Sequence, residues 1–384
     1  MSIPQRIQSF ANDLTAIRRD LHEHPELGFE EVRTSGVVAK HLEAMGIEVT
    51  LGLGKTGVVG VLKGNRPGRT IGLRADMDAL PIDEQTNLPY ASKNPGVMHA
   101  CGHDAHTTIL LGAARYLAET RDFAGTAVFI FQPAEEGLGG GRQMIADGLF
   151  DQFPCDEIYG LHNSPFHEPG AIGITPGAAM AGADFFDISV TGKGCHAAGP
   201  HTGIDSILIA STLVQNLQSI VSRNVDASNK IVLSVTQFHA GNAYNVLPET
   251  VKLAGTLRYF DREAAELVRT RMRDICAGME RSYGVGIEID MRNVFDVLEN
   301  DPKLSMAVHD VACDLVGDAA QVSTQQVMGS EDFADMLQVV PGAYCVIGHA
   351  GTVPLHNPGF VLDDAVLPLG AALFAKMVET RGAI

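Results

Sequence analysis

Nine consecutive residues, Met98-His-Ala-Cys-Gly-His-Asp-Ala-His106, hold a thiol, three imidazoles and a carboxylate. Cys101 and His103 sit two apart across Gly102, so an extended backbone there aims both at one ion. Thiolate and imidazole are good ligands for borderline divalent metals. A second signal, Phe131-Gln-Pro-Ala-Glu-Glu-Gly137, follows an apolar run directly. Two adjacent carboxylates at the end of a strand stand where α/β proteins bind ligands. Neighbouring side chains diverge, so one glutamate can hold a metal while the other carries a proton. Gly160-Leu-His-Asn163 and Leu355-His-Asn-Pro-Gly359 each add a histidine before turn residues. Cys101, His103, His162 and His356 with one of the glutamates make five ligands, enough for two cations about 3.5–4 Å apart. Singly, any of these residues reads as a capping histidine or an acidic loop; the metal reading rests on their number.

Other chemistries find less support. Gly52-Leu-Gly-Lys-Thr56 ends like a phosphate-binding loop, but Val49 stands where the first glycine is required. Gly137-Leu-Gly-Gly-Gly141 lacks the dinucleotide spacing and lies in an acidic loop. There is no Gly-x-Ser-x-Gly elbow for a serine nucleophile. The formal net charge of −18 repels phosphate backbones and anionic lipid, so neither nucleic acid nor membrane is an expected partner. The N-terminal residues hold no apolar core of a signal peptide, and the expected compartment is the cytoplasm. The six scattered cysteines argue against a disulfide framework.

These residues need elements to hold them, and 384 residues suggest two domains. Apolar residues at helical spacing run over 5–22 and 34–45, and Gly46 is placed to end the second helix. Strands are predicted at Val58–Leu62, Thr70–Leu73 and Thr126–Phe131, with a helix at Thr107–Glu119. This alternation implies an α/β layered sheet. From Phe185 the pattern becomes strand, helix, two strands, helix and strand: Phe185–Thr191, Ile204–Ser222, Ile231–Phe238, Thr250–Tyr259, Arg262–Tyr283 and Val285–Val294. That βαββαβ order fits a small one-sheet α+β domain. The expected layout is therefore 1–183 with 294–384 as one α/β domain, interrupted by 184–293.

Taken in order, the motifs resemble the M20 metallopeptidase family, in its hippurate hydrolase and auxin-conjugate amidohydrolase branch. The resemblance spans essentially the whole chain. It rests on Leu21-His-Glu-His-Pro-Glu26, Leu73-Arg-Ala-Asp-Met-Asp-Ala-Leu-Pro81, the Cys101 cluster and Gln132-Pro-Ala-Glu-Glu136. Gly194-Cys-His-Ala197, Asn245-Val-Leu-Pro-Glu249, Gly255-Thr-Leu-Arg258, Met328-Gly-Ser-Glu-Asp-Phe333 and Leu355-His-Asn-Pro358 complete it. The resemblance implies a zinc-peptidase-like catalytic domain, its mixed sheet flanked by helices, with an inserted ferredoxin-like lid that also dimerises. It implies an amidohydrolase acting on N-acyl amino acids, with dipeptidase or carboxypeptidase action as the alternative. By motif position Cys101, His103, Glu136, His162 and His356 would bind two divalent ions (Zn, Mn, Ni or Co). Glu135 would be the general base and acid, and Asp76 a carboxylate orienting a ligand. His196 would face the reacting carbonyl, while Asn245, Arg258 and the Gly329 backbone would hold the substrate carboxylate. A homodimer, or a tetramer built from it, would be the working form. Cys195 departs from the lid motif, where alanine is common before the histidine.

Overall fold

The computed structural model describes residues 4–384 and divides into two compact units. The first holds the chain up to Ala179 with Leu298–Gln326 and Asp332–Ile384. The second holds Met180–Val297 with Val327–Glu331. The five residues Val327–Glu331 thus go with the second unit rather than with the C-terminal segment around them. The reason is backbone pairing: the Ala181 N–H donates to the carbonyls of Val327 (3.1 Å) and Gly329 (3.0 Å). Residues 1–3, the start of the expected first domain, lie outside the described residues.

The first unit is built on an eight-stranded mixed sheet. Its spatial order is Glu48–Leu53, Gly57–Lys63, Ala124–Gln132, Arg66–Asp76, Glu157–Ser164, Gly342–Gly348, Ile172–Ile174 and Ala320–Val322. The four central strands, from Ala124–Gln132 to Gly342–Gly348, run parallel to one another. Three of them are buried almost throughout, and Arg66–Asp76 over its last six residues, as expected of a sheet covered on both faces. The helix His103–Thr120 carries apolar residues on nearly every face and is buried to match, as is Val366–Arg381. Parallel strands require their chain ends to line one edge of the sheet. Asp76, Gln132, Ser164 and Gly348 therefore end together on the carboxyl edge, where open α/β sheets place their ligands.

The predicted helix over 5–22 is two helices, Gln5–Ser9 and Ala11–Glu23, broken at Phe10 (φ −109°, ψ 18°). Phe10 is itself a buried core residue, so apolar periodicity carries through the break and hides it.

The second unit carries a four-stranded antiparallel sheet in the order Ile231–Ala240, Thr250–Tyr259, Gly182–Thr191, Gly286–Phe295. Helices Ser206–Arg223 and Arg262–Tyr283 pack on each other and on this sheet. The first strand of the unit is thus central and flanked by its third and fourth, the split βαβ arrangement. Aspartates cap both helices: Asp205 accepts from Ile207 and Leu208 N–H, and Asp261 from Ala264 N–H.

Candidate metal centre

The five expected ligands converge in the first unit. Ligand atoms of Cys101, His103 and His162 lie within 4.8 Å of one another, and so do those of Cys101, Glu136 and His356. Cys101 belongs to both groups. Glu135 joins His103 and Glu136 in a third such group.

Each ligand is held by a traceable local feature. Gly102 adopts φ 95°, and a Cβ there would fall 2.2 Å from Asn163 Nδ2. Only glycine lets the chain turn this tightly from Cys101 into the helix that begins at His103. Asn163 uses that proximity, its Nδ2 donating to the Cys101 carbonyl at 2.6 Å. His103 donates from Nδ1 to Asp78 Oδ1 at 3.2 Å, leaving Nε2 to face the cluster. His162 donates from Nδ1 to the Asn163 carbonyl at 2.6 Å, and its Nε2 lies 3.4 Å from Cys101 Sγ. His356, half exposed, adopts the left-handed φ of 62°, and its N–H donates to Ala100 at 2.8 Å. Such backbone strain in a non-glycine residue persists only where the surroundings enforce it.

Asp76 was expected to orient one of the ligands, but its hydrogen bonds run elsewhere. His106 Nδ1 donates to Asp76 Oδ1 at 2.6 Å, and Arg74 Nη1 to Asp76 Oδ2 at 2.7 Å. Asp78 does the orienting instead, with Oδ1 on His103 and Oδ2 accepting from the Glu136 N–H at 3.0 Å. Two carboxylates two residues apart cannot be told apart by spacing; only the direction in which the strand end turns separates them. His106 is a link rather than a ligand in this arrangement, since its Nε2 accepts from the Asn163 N–H at 3.0 Å. Behind Asp76, the buried Arg74 also donates to Gln132 Oε1 (2.8 Å) and Asp332 Oδ1 (2.9 Å), tying two strand ends to the start of the helix Phe333–Leu337. Asp78, Arg74, Gln132 and Asp332 escaped the sequence reading, although all four lie inside motifs it quoted.

The donor set fits a divalent cation. His103 Nε2 is buried and has no hydrogen-bond partner. Orphaned buried polar atoms cost about 1–3 kcal/mol each, so they point to something that completes them. The local field favours positive charge. Burial opposes protonation of His103, yet the charges of Asp76 and Cys101 and the Asp78 hydrogen bond outweigh it and raise its pKa well above the usual range. Hydrogen bonds to Cys101 and Glu136 raise His356 to about 10. Burial pushes His162 the other way, holding it as the neutral imidazole that ligates.

A family model described as peptidase family M20/M25/M40 matches residues 72–380, which include every residue of this cluster. The chain belongs to that family. Among its relatives, hippurate hydrolase of Campylobacter jejuni is 42% identical, with 98% of each chain covered. An N-acetylcysteine deacetylase of Bacillus subtilis is 40% identical over 96% of this chain and 97% of its own. Among solved structures, a Bacillus subtilis protein described as a dinuclear metal binding peptidase of family M20 superimposes with a TM-score of 0.84. It is 37% identical, with 98% and 99% of the two chains covered. The mixed α/β architecture of this M20 protein is thus that of its family.

The remaining site candidates lie in the second unit. The His196 strand pairs with Val246, and His196 Nδ1 accepts from the Ala198 N–H at 3.1 Å, which leaves the proton on Nε2. The Asn245 carbonyl accepts from Ala197 N–H at 3.0 Å, so Asn245 and His196 share one small two-stranded element. Arg258 donates to Ser330 Oγ at 2.6 Å, and Ser330 in turn to the Ala181 carbonyl at 2.7 Å. Gly329, exposed beside Ser330, accepts from the Ala181 N–H. All six cysteines are free. No helix among the described residues is long and apolar enough to cross a membrane.

Proposed function

We propose that this protein is a metal-dependent amidohydrolase that cleaves the amide bond of N-acyl amino acids, releasing a carboxylic acid and a free amino acid. The observation that carries the reading is the pairing of a complete five-ligand set with a spare buried carboxylate. Cys101, His103 and His162 would hold one divalent ion, and Cys101, Glu136 and His356 a second. Zinc, manganese, nickel and cobalt all suit thiolate, imidazole and carboxylate donors. When bound, such a pair lowers the pKa of water and polarises a carbonyl.

The chain's own residues do the rest. Glu135 is only 6% exposed, and its Oε2 lies 4.0 Å from His103 Nε2, so it stands at the cluster without being needed to complete it. It takes the proton of the attacking water and returns it to the leaving amine. His196, protonated on Nε2, donates to the oxygen of the reacting carbonyl. Arg258, with Asn245 and the Gly329 N–H, recognises the free carboxylate of the amino acid, for which a guanidinium fork is well shaped. The second unit then serves as the lid and dimerisation domain of a homodimer working in the cytoplasm. The named activities of the hippurate and N-acetylcysteine relatives support small N-acyl amino acids as the substrate class.

The test is amine release from N-benzoyl, N-acetyl and dipeptide substrates, with native, chelated and metal-reconstituted protein compared. Activity on N-acyl amino acids that disappears on chelation and returns with a divalent ion is expected. Cleavage confined to the dipeptides would replace the acylase reading with a peptidase one. No cleavage by protein carrying two ions would overturn both.

A further inference from the structure

We propose that Glu31 is a positioning residue for Glu135, acting through the backbone of Ala134. The inference rests on the reading of Glu135 as proton carrier, and goes on to ask what aims that side chain. Ala134 adopts φ 55°, a left-handed conformation in a residue with a Cβ. Such a conformation is strained in a residue with a Cβ unless its surroundings hold it. The N–H groups on both sides of Glu135 are tied to buried carboxylates. Glu136 N–H donates to Asp78 Oδ2 at 3.0 Å, and Ala134 N–H to Glu31 Oε1 at 2.9 Å. The Ala134 carbonyl accepts from Gly140 N–H at 3.0 Å, closing the turn.

Glu31 comes from a part of the chain that contributes no ligand and lies ahead of the stretch matched by the family model. It is nevertheless fully buried, with its second oxygen accepting from Thr56 Oγ1 at 2.6 Å. The segment leading to it is built against the same loops. Leu27 bridges to Ala79, whose N–H donates to the Glu26 carbonyl at 2.8 Å. A Cβ at Gly28 would lie 2.9 Å from Leu138 Cδ1 and 3.0 Å from Ala134 Cα, so the segment seats closely against the Glu135 turn. A carboxyl group placed in such surroundings is expensive to bury. Filling space would need only an apolar side chain. What Glu31 supplies is two acceptors, one aimed at the strained peptide beside Glu135.

The experiment measures kcat, KM and bound metal for Glu31→Ala and Glu31→Gln, each in the Ala134 and the Ala134→Gly background, with Glu135→Gln alongside. Displacement of a catalytic group by an ångström costs up to about a hundredfold in rate. Glu31→Ala is expected to lower kcat about 10- to 100-fold at unchanged metal content and nearly unchanged KM. Glu31→Gln, which keeps one acceptor, should recover at least half of that loss on a logarithmic scale. Glycine adopts φ 55° without strain, so Ala134→Gly should shrink the cost of either Glu31 change. Wild-type kcat in both Glu31 variants, equal losses in the two backgrounds, or activity falling only in step with lost metal would each overturn the proposal. If Glu31→Ala does not fold, Glu31→Gln in the two backgrounds carries the same comparison. Full activity in Glu135→Gln would instead remove the reading of Glu135 itself, whatever the Glu31 variants do.

Discussion

Glu135 and Glu136 are adjacent in the chain and both come within 4.0 Å of His103 Nε2, yet only Glu136 also meets Cys101 and His356. Glu136 presents Oε1 to the cluster, 3.3 Å from His356 Nε2 and 4.0 Å from His103 Nε2, and its own N–H is held by Asp78. Glu135 is buried beside it, with the left-handed Ala134 on one side and Gly137 turning back to its carbonyl on the other. Replacing Glu135 by Gln keeps the size of the side chain and removes its basicity. The expected outcome is a fall in kcat of about a hundredfold to ten-thousandfold, the range for a general acid–base group. Metal stoichiometry, read by elemental analysis of the purified protein, should stay at the wild-type value. A variant that loses its metal instead would make Glu135 a ligand.

At the scale of elements, the decisive feature is the turn from Cys101 into the helix His103–Thr120. The helix starts where it does because Gly102 takes a conformation closed to other residues and its carbonyl accepts from Ala105 and His106 N–H. Gly102→Ala combines a positive φ with a Cβ 2.2 Å from Asn163 Nδ2. It is expected to lower Tm by several degrees and to weaken metal retention, since Asn163 braces both Cys101 and His106. Thermal unfolding and competition with a chelator measure the two effects. Unchanged values in both would mean the turn has an alternative form. The spacing of Cys101 and His103 announces a metal site in the sequence, and the glycine between them is part of that signal. The identity of the bracing groups is not, because Asp76, Asp78 and His106 are equally plausible partners until the strand end sets which way each side chain points.

At the scale of the whole molecule, the C-terminal helix of the first unit is fastened to the sheet by charge as well as by packing. Glu157, at the start of a central strand, accepts from Arg381 (2.6 and 2.9 Å), Arg69 (3.0 Å) and the Tyr159 hydroxyl (2.7 Å). Burial works to raise its pKa, but the hydrogen bonds and charges of Arg381, Tyr159 and Arg69 prevail and lower it. A carboxylate with a depressed folded pKa contributes stability in full above its unfolded value, near 4.3, and loses it as pH falls below that. Glu157→Gln should therefore reduce Tm by about 2–4 °C at neutral pH. The gap to wild type should narrow as pH drops below about 4.3. Tm measured from pH 3 to 8 checks this, and a gap that stays constant with pH would show that the ion pairs contribute nothing.

Much of this protein is legible in its residues alone. The βαββαβ insertion is readable because strand and helix periodicities differ and its helices carry aspartate caps at Asp205 and Asp261. The candidate ligands stand out because thiol, imidazole and carboxylate seldom cluster unless chemistry requires it. Tertiary structure alone decided the rest. The break at Phe10 leaves the apolar pattern intact, and Val327–Glu331 joins the second unit through backbone hydrogen bonds that no side-chain pattern encodes. Asp78 on His103, Arg74 on Gln132 and Asp332, and Glu31 on Ala134 all join residues distant in the chain or equivalent in type. Spacing along a chain reports which chemistry is present. Which of two like groups reaches a given atom is settled only when the strands stop and turn.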